Sequence, residues 1–469
     1  MQVIEKIFNI LSKTIYLIYL YALGIVLPLY FDDAYFNMME AKANIFLLFA
    51  KIMAVPLCAL LIIKIILKKN EKSKLSFLLI IFLLSTFLST IFSLDIQTSL
   101  DGSLGWHAGL YCISFIILSI LSLKDVRIKR GAYIPLIVVN IFIYLCAILH
   151  GFEIDVLNLH QGILDVSYHK YATTLGNINW YTGYLSLTVM SFIGLYLNSK
   201  DKYKYLYLLA SSLGIISIAL LGSDGIFLGM GLVSFFAVPM IFKDRETIKR
   251  FSITVIIFVI GLLVARYLDY CMDGYAALLR RRLVILPLIV LSISLLIFSV
   301  FISDQKYLNI KNKLIILFEV LIFVIFIIFI LIAVNKEDAE WGTGRIALFS
   351  DSLKIFNNFT PFRKIFGIGL EQLYQIYRPI NERYDGIYLS SHSEWIQALL
   401  TGGFIMFFSY LACWIYLIVV SIKKRLWNTN IAYIVLGLGC YLGQSLVNSA
   451  TVPNVAILSI LLILFFNNN

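Results

Sequence analysis

The longest stretch of this chain that cannot lie inside a membrane decides its fold. It runs WGTGRIALFSDSLKIF (341–356), FGIGLEQLYQIYRPINERYDGIYL (366–389) and SSHSEWIQALLTGG (390–403). It contains Arg345, His392 and most of the clustered glycine and polar residues, whereas the sequence around it is strongly apolar. We therefore expect a helical membrane protein whose apolar spans hold this segment at one membrane surface.

The composition supports the same class. The 469 residues are 61% hydrophobic and 14% charged, with a mean hydropathy of +0.91, whereas soluble domains carry about 25% charged residues. Apolar windows of about 20 residues recur along the chain, which predicts an all-α polytopic transmembrane bundle of about 14 spans, with short amphipathic helices in a large external loop. The predicted spans are 14–31, 44–67, 75–94, 106–123, 132–150, 178–198, 205–221, 226–242, 251–266, 283–303, 314–334, 394–420, 430–449 and 453–466.

Basic residues concentrate in alternate loops, which indicates the orientation of the bundle. These loops are 68–74, 124–130, 199–204, 243–250, 304–313 and 423–425. The positive-inside rule assigns them to the cytoplasm with both termini, and makes the long loop 335–393 external. The net charge of +11 then fits anionic lipid headgroups, and we expect no nucleic acid partner. Three parts follow: an N-terminal bundle (1–334), the external loop (335–393) and C-terminal helices (394–469).

Arg345 is predicted to lie in the first turn of a helix in the external loop. The helix dipole disfavours a cation there by up to about 1 kcal/mol, so an anionic partner is expected. A salt bridge to Asp338, Glu340 or Asp351 is the alternative. The spacing also predicts a narrow apolar face on this helix, made of Ile346, Phe349, Leu353 and Phe356.

His392 is predicted to lie at the N-terminal end of the next span. Ser390 or Ser391 can cap that helix, and Glu394 falls in its first turn. The dipole there favours a neutral imidazole that can accept a proton, while Glu394 acts in the opposite sense. A histidine that only hydrogen-bonds the loop is the alternative.

Three adjacent arginines, Arg280, Arg281 and Arg282, lie on the predicted external side, against the orientation rule. Arginine suits a diphosphate because it is always charged and presents a planar fork of donors. The alternative is a set of arginines that bind lipid phosphate at a helix end.

Three segments of the chain resemble the O-antigen ligase and polymerase family of integral membrane glycosyltransferases. They are GTGRIALFSDSLKIF (342–356), FGIGLEQL (366–373) and SSHSEWIQALLTGGF (390–404). They resemble the family's arginine followed by an aromatic residue, its Gly-x-Gly turn, and its His-Asn-x-x-Leu-Gln run that ends in glycine. Ser393 and Ile396 replace the usual Asn and Leu of that run. The resemblance extends over most of the chain, through SLDGSLGWHAGLY (99–111) and LGNINWYTGYLSL (175–187), the latter with Asn177 and Asn179.

The resemblance implies transfer of a glycan from a polyprenyl-diphosphate-linked donor to a hydroxyl of a glycan, lipid or wall acceptor, in contact with membrane lipids. It implies that this occurs on the outer face of the cytoplasmic membrane, with no metal or cofactor. Arg345 would neutralise the diphosphate, and His392 would orient or deprotonate the acceptor hydroxyl. Asn177, Asn179 and Glu394 are the further candidates for substrate binding.

One position departs from the family. Its Ser-Arg-Gly, whose arginine also contacts the diphosphate, is Ser223-Asp224-Gly225 here. Asp224 is therefore expected to bridge to an arginine, and Arg280–Arg282 to supply the missing charge.

Two other classes of function stay open. A flippase for the same lipid-linked glycan fits about 14 spans, but should show paired repeats and charges near the middle of the membrane. Lys51 and Lys64 are the nearest such charges. The second class is a structural partner in a polysaccharide assembly complex.

Overall fold

The computed structural model describes residues 2–67, 73–102, 109–163, 170–221, 223, 225–271, 282–302, 304–335, 345–378 and 390–468. Apart from the connecting loops, these residues form helices and one hairpin, β1 (Tyr171–Ala172) with β2 (Gly176–Asn177), antiparallel with Tyr171 opposite Asn177. The α-helices of the first half are α1 (Gln2–Tyr21), α2 (Leu27–Leu29), α3 (Met38–Ile66), α4 (Lys74–Ile91), α5 (Ile96–Asp101), α6 (Leu110–Leu123), α7 (Ile134–Gly151), α8 (Ile178–Asn198) and α9 (Lys204–Leu221). Those of the second half are α10 (Gly225–Ile241), α11 (Arg245–Cys271), α12 (Arg282–Phe301), α13 (Asp304–Asn335), α14 (Arg345–Asn357), α15 (Pro361–Phe366), α16 (Leu373–Ile376), α17 (Glu394–Lys423), α18 (Ala432–Gln444) and α19 (Val452–Asn468).

The helices confirm a polytopic helical membrane protein. Within the described residues, seven helices are long and apolar enough to cross a membrane, and five shorter apolar helices accompany them. The finer count of about 14 spans, and the three-part division of the chain, stay predictions.

The centre of the bundle is the pair α8 and α18. Every residue of α8 from Tyr181 to Gly194 is buried. Glycines allow the two backbones to approach closely, because a Cβ on Gly194 would lie 2.6 Å from Tyr433 Cα and one on Gly437 2.8 Å from Leu187 O. This contact fixes the start of α8 relative to the end of α18.

The prediction of an unbroken span over 394–420 was wrong, because α17 breaks at Gly403. Gly403 has φ +63° and ψ −164°, which is not helical. The Tyr410 hydroxyl donates to Glu394 Oε2 at 2.7 Å, although 16 residues of straight helix would separate the two residues by about 24 Å. The chain therefore turns back on itself at Gly403, and the part of α17 before it is a short separate helix.

The predicted apolar face of α14 is only partly buried in the protein. The buried residues are Leu348, Asp351, Ser352 and Phe356, while Ile346 and Leu353 are exposed. Ser352 belongs to the buried face because its hydroxyl donates to Leu348 O at 2.6 Å and pairs with Tyr377 Oη at 2.7 Å. Apolar periodicity does not register a buried side chain of this kind.

Candidate functional site

The beginnings of α8, α14 and α17 gather at one end of the bundle. A small core holds α14 on α17, and Phe356 packs edge-on against Phe404 with ring centroids 5.3 Å apart. Its buried members are Leu348, Phe356, Ile368, Leu373, Tyr377 and Leu400. Burial raises the pKa of Tyr377 above its ordinary value, so its hydroxyl stays neutral inside this core.

Arg345 reaches the N-terminal end of α8. Its Nη2 donates to Asn179 Oδ1 at 2.9 Å, and its side chain is half-buried. Asn177 caps the same helix, because its Oδ1 accepts from Asn179 N at 2.8 Å. A guanidinium beside a helix N-terminus favours an anion through its own charge and the positive end of the helix dipole.

Residues in the connection between α18 and α19 and in the first turn of α19 join the start of α8 to the start of α17. Asn454 Nδ2 donates to Trp180 O at 3.2 Å, on the α8 side. On the α17 side, Ser449 Oγ donates to Ser390 Oγ at 3.0 Å. The segment that contains His392 and helix α8, whose Asn179 contacts Arg345, therefore both bind residues within 449–454.

His392 occupies a strained turn made of serines. Its φ is +51°, in the left-handed region, which costs a non-glycine residue about 1–2 kcal/mol. Ser391 Oγ donates to Ser393 O at 2.7 Å, and His392 N donates to Ser390 Oγ at 3.4 Å. These bonds maintain the strained backbone, and the imidazole is half-buried.

The cap of α17 differs from the prediction. Ser393, and not Ser390 or Ser391, is the N-cap, since its hydroxyl accepts from Ile396 N. Ser391 Oγ instead accepts from Ser393 N at 3.4 Å and donates to the Ser393 carbonyl. Glu394 lies in the first turn, as the sequence predicted.

Glu394 faces the interior of the bundle. Its Oε2 accepts from the Tyr410 hydroxyl at 2.7 Å, and its Oε1 accepts from the Tyr441 hydroxyl. Its backbone N donates to Ser445 O at 3.0 Å, and Trp395 Nε1 donates to Ser445 Oγ at 3.0 Å. A carboxylate fixed by two hydroxyls has a defined position from which to contact a ligand.

The Glu394 carboxylate lines a cavity of about 240 Å³. Its walls are mainly apolar and come from α3, α4, α6, α17 and α19, while the polar lining includes Glu371, Glu394, Gln397, Tyr410 and Tyr441. Sequence reasoning missed Glu371 and the two tyrosines. The positive φ of Glu371 (+60°) and the return of the chain at Gly403 have no signature in a hydropathy pattern.

The Gly-x-Gly turn packs on the break in α17. Ile368 N donates to Leu400 O at 3.2 Å and Gly369 N to Thr401 O at 2.9 Å. A Cβ on Gly367, which has φ +74°, would lie 2.1 Å from Thr401 O. The turn therefore satisfies carbonyls near the break in α17, and the backbone N–H groups of Gly367, Ile368 and Gly369 are all paired within the protein.

The remaining predicted site residues are not placed. Arg280, Arg281 and Asp224 lie outside the described residues. Arg282 is the first residue of α12, and its side chain is likewise outside the description. Their proposed contacts with a diphosphate stay predictions.

Residues 271–411 match the family model described as O-antigen ligase. The match begins at the end of α11 and ends inside α17, so it includes Arg345, the Gly-x-Gly turn, His392 and Glu394. It confirms the resemblance for this part of the chain. The upstream segments 99–111 and 175–187 lie outside it, and their assignment stays a prediction. No curated protein and no solved structure matches the chain.

Proposed function

We propose, from the O-antigen ligase domain at residues 271–411, that this protein transfers a glycan from polyprenyl diphosphate to an acceptor hydroxyl at the outer face of the cytoplasmic membrane. One observation carries the proposal. Arg345 lies inside the matched region, and its guanidinium is held by Asn179 at the N-terminal end of α8. A diphosphate that lies there would meet a permanent cation and a helix N-terminus together.

In the transfer step, the bond between the sugar anomeric carbon and the diphosphate oxygen breaks, and its electron pair leaves with polyprenyl diphosphate. The acceptor oxygen forms the new bond to that carbon and releases its proton to the His392 imidazole. Arg345 stabilises the charge that develops on the leaving diphosphate. No cofactor enters this scheme.

The cavity beside Glu394 supports binding of a substrate with an apolar and a polar part. Its apolar walls suit an isoprenoid chain, while Glu371 and Glu394 offer acceptors for sugar hydroxyls. In this proposal Glu394 orients a sugar ring, because both of its oxygens are already held by Tyr410 and Tyr441.

The distribution of charge supports an external site. The turns at the opposite end of the bundle contain Lys124, Arg130 and Arg245, among the basic loops that the positive-inside rule assigns to the cytoplasm. The end that contains His392 then faces outward, with both chain termini in the cytoplasm.

The test uses purified full-length protein in lipid nanodiscs, supplied with a polyprenyl-diphosphate-linked glycan and an acceptor. Wild type is expected to release polyprenyl diphosphate, and Arg345→Ala and His392→Ala are expected to lose most of that release. Lys354→Ala is the matched control, because its side chain lies on the same helix as Arg345 and is 67% exposed. Normal release by both site variants would defeat the proposal.

The same assay separates the alternatives. A flippase would move the labelled lipid across the bilayer and leave its glycosidic bond intact, and a structural partner would do neither. Product length then distinguishes a polymerase, which forms a ladder of repeats, from a ligase, which forms a single transfer product.

A further inference from the structure

A cluster of two histidines and one aspartate lies outside the site described above. His150 is in the last turn of α7, and Asp155 and His160 are in the loop that follows. His150 Nε2 lies 3.2 Å from Asp155 Oδ1, and His160 Nδ1 lies 3.1 Å from Asp155 Oδ2. One donor atom from each residue lies within 4.8 Å of the other two. The side chains are 1%, 15% and 5% exposed in sequence order, so both imidazoles are buried and the carboxylate is largely covered.

We propose that His150, Asp155 and His160 bind a divalent transition metal ion, with Zn²⁺ the best fit. Two imidazoles and a carboxylate are a donor set that Zn²⁺ takes, at bonds of about 2.0–2.2 Å. Tetrahedral bonds of that length separate neighbouring donors by about 3.3 Å, and each imidazole lies at about that distance from one of the two carboxylate oxygens. The pair that is farther apart closes by a small inward movement of the loop, which contains both Asp155 and His160.

The alternative is a cluster held by hydrogen bonds alone, and its geometry is poor on one side. Among the described residues, neither His150 Nε2 nor Asp155 Oδ1 completes a hydrogen bond, although they are 3.2 Å apart. The contact between Nε2 and Oδ1 therefore lacks the alignment of a good hydrogen bond. A cation shared by the two atoms lies off the line that joins them, which accounts for a short distance without a hydrogen bond.

The surroundings of His150 fix its ring. Thr173 N donates to Nδ1 at 3.0 Å, and Tyr35 Oη lies 3.2 Å from the same nitrogen, so Nε2 is the nitrogen that faces Asp155. In the metal-free ring the proton is on Nε2. A metal at Nε2 moves this proton to Nδ1, where Tyr35 Oη accepts it and the bond from Thr173 is lost. Metal occupancy is thereby coupled to the hairpin that precedes α8.

The bound ion would hold the loop after α7 in place. Tyr35 packs edge-on against His160 with ring centroids 4.7 Å apart, and stacks on Tyr171 at 4.9 Å. The ion would tie the loop after α7 to this aromatic group and so to β1. This role is structural and does not depend on the proposed glycan transfer.

The test measures metal in the full-length protein, purified in detergent without a polyhistidine tag. Plasma mass spectrometry of wild type is expected to give close to one zinc per chain, and Asp155→Asn and His160→Ala are expected to lose most of it. Glu153→Gln is the matched control because this exposed carboxylate is in the same loop, and it should retain the metal.

A second measurement covers the case in which the variants fail to fold. Chelator-stripped wild type is titrated with Co²⁺, and the visible absorption of a tetrahedral site should appear and then vanish on addition of Zn²⁺. Zn²⁺ should also raise the melting temperature of the stripped protein, whereas Mg²⁺ should leave it unchanged. If stripped wild type binds neither ion, or if Asp155→Asn retains full zinc, the cluster is a hydrogen-bonded one and the proposal is overturned.

Discussion

The hydrogen bond between Arg345 and Asn179 predicts that Asn179→Ala and Asn179→Asp lower the rate of glycan transfer by different amounts. Asn179→Ala removes the acceptor at 2.9 Å and leaves the guanidinium charge in place. A hydrogen bond to a charged group contributes about 1.5–3 kcal/mol. Arg345 is half-buried and its other donors remain, so we take the lower end of that range. A loss of about 1.5–2 kcal/mol in the transition state corresponds to a rate about 10–30 times lower.

Asn179→Asp separates a catalytic role of Arg345 from a structural one. The new carboxylate pairs with the guanidinium and competes with the diphosphate for it. We therefore expect a greater loss of kcat/KM than with Asn179→Ala, together with a melting temperature at or above that of wild type. If Arg345 had only a structural role, the rate of Asn179→Asp would be equal to that of wild type or higher.

The assay is release of polyprenyl diphosphate by the single variants and by the double variant Arg345→Ala with Asn179→Ala. Arg345→Ala alone should lower the rate about 10²–10³-fold, as for loss of one donor to a developing anion. Because the two side chains act through one contact, adding Asn179→Ala to Arg345→Ala should lower the rate little further. Fully additive losses, or an Asn179→Asp variant as active as wild type, would refute this reasoning.

Three further predictions concern stability, measured as thermal unfolding in detergent. Gly367→Ala should cost at least about 2 kcal/mol because of its positive φ and the carbonyl 2.1 Å from the added carbon; Gly131→Ala, with nothing within 4 Å, is the control, and equal melting temperatures would contradict the prediction. Tyr410→Phe should cost about 1–3 kcal/mol because it removes a donor from the buried carboxylate, whereas Tyr416→Phe should be near neutral; an unchanged Tyr410 variant would count against the contact. The pKa of Asp95, the N-cap of α5, is lowered by the Thr98 hydroxyl and two backbone amides, so its contribution is complete above the unfolded-state pKa and is lost as pH falls through the folded-state value. Asp95→Ala should therefore be less stable than wild type at neutral pH and equally stable in strong acid, and a difference that persists in acid would exclude this origin.

The helices of this chain could be predicted from its sequence because an apolar run of membrane length forms a helix, which satisfies its own backbone hydrogen bonds in the lipid. The same reasoning failed at Gly403, since a glycine inside an apolar run is compatible with both a continuous helix and a sharp turn. It failed for Ser352 because hydropathy assigns serine to the exterior, whereas here Tyr377 pairs with its hydroxyl.

The candidate site was predictable only as a set of separate residues. Arg345, His392 and Glu394 stood out through local signals: a cation at a helix start, a lone histidine and a capped turn. Their contacts did not: Asn179 was a candidate through the resemblance, but nothing linked it to Arg345, 166 positions later, and Tyr441, 47 positions after Glu394, was not a candidate. The cluster of His150, Asp155 and His160 was missed because its five-residue spacing in a loop matches no ligand motif.

The docking of the Gly-x-Gly turn has a consequence for how a long substrate moves. Main-chain bonds hold the turn on two sides: Gly369 N donates to Thr401 O at 2.9 Å, and Leu94 N donates to Ile368 O at 2.9 Å. To swing aside, this segment would have to break both bonds, so we expect it to stay in place while a substrate enters. In the proposed glycan transfer, the opening that admits a bulky sugar chain is then expected at another part of the surface.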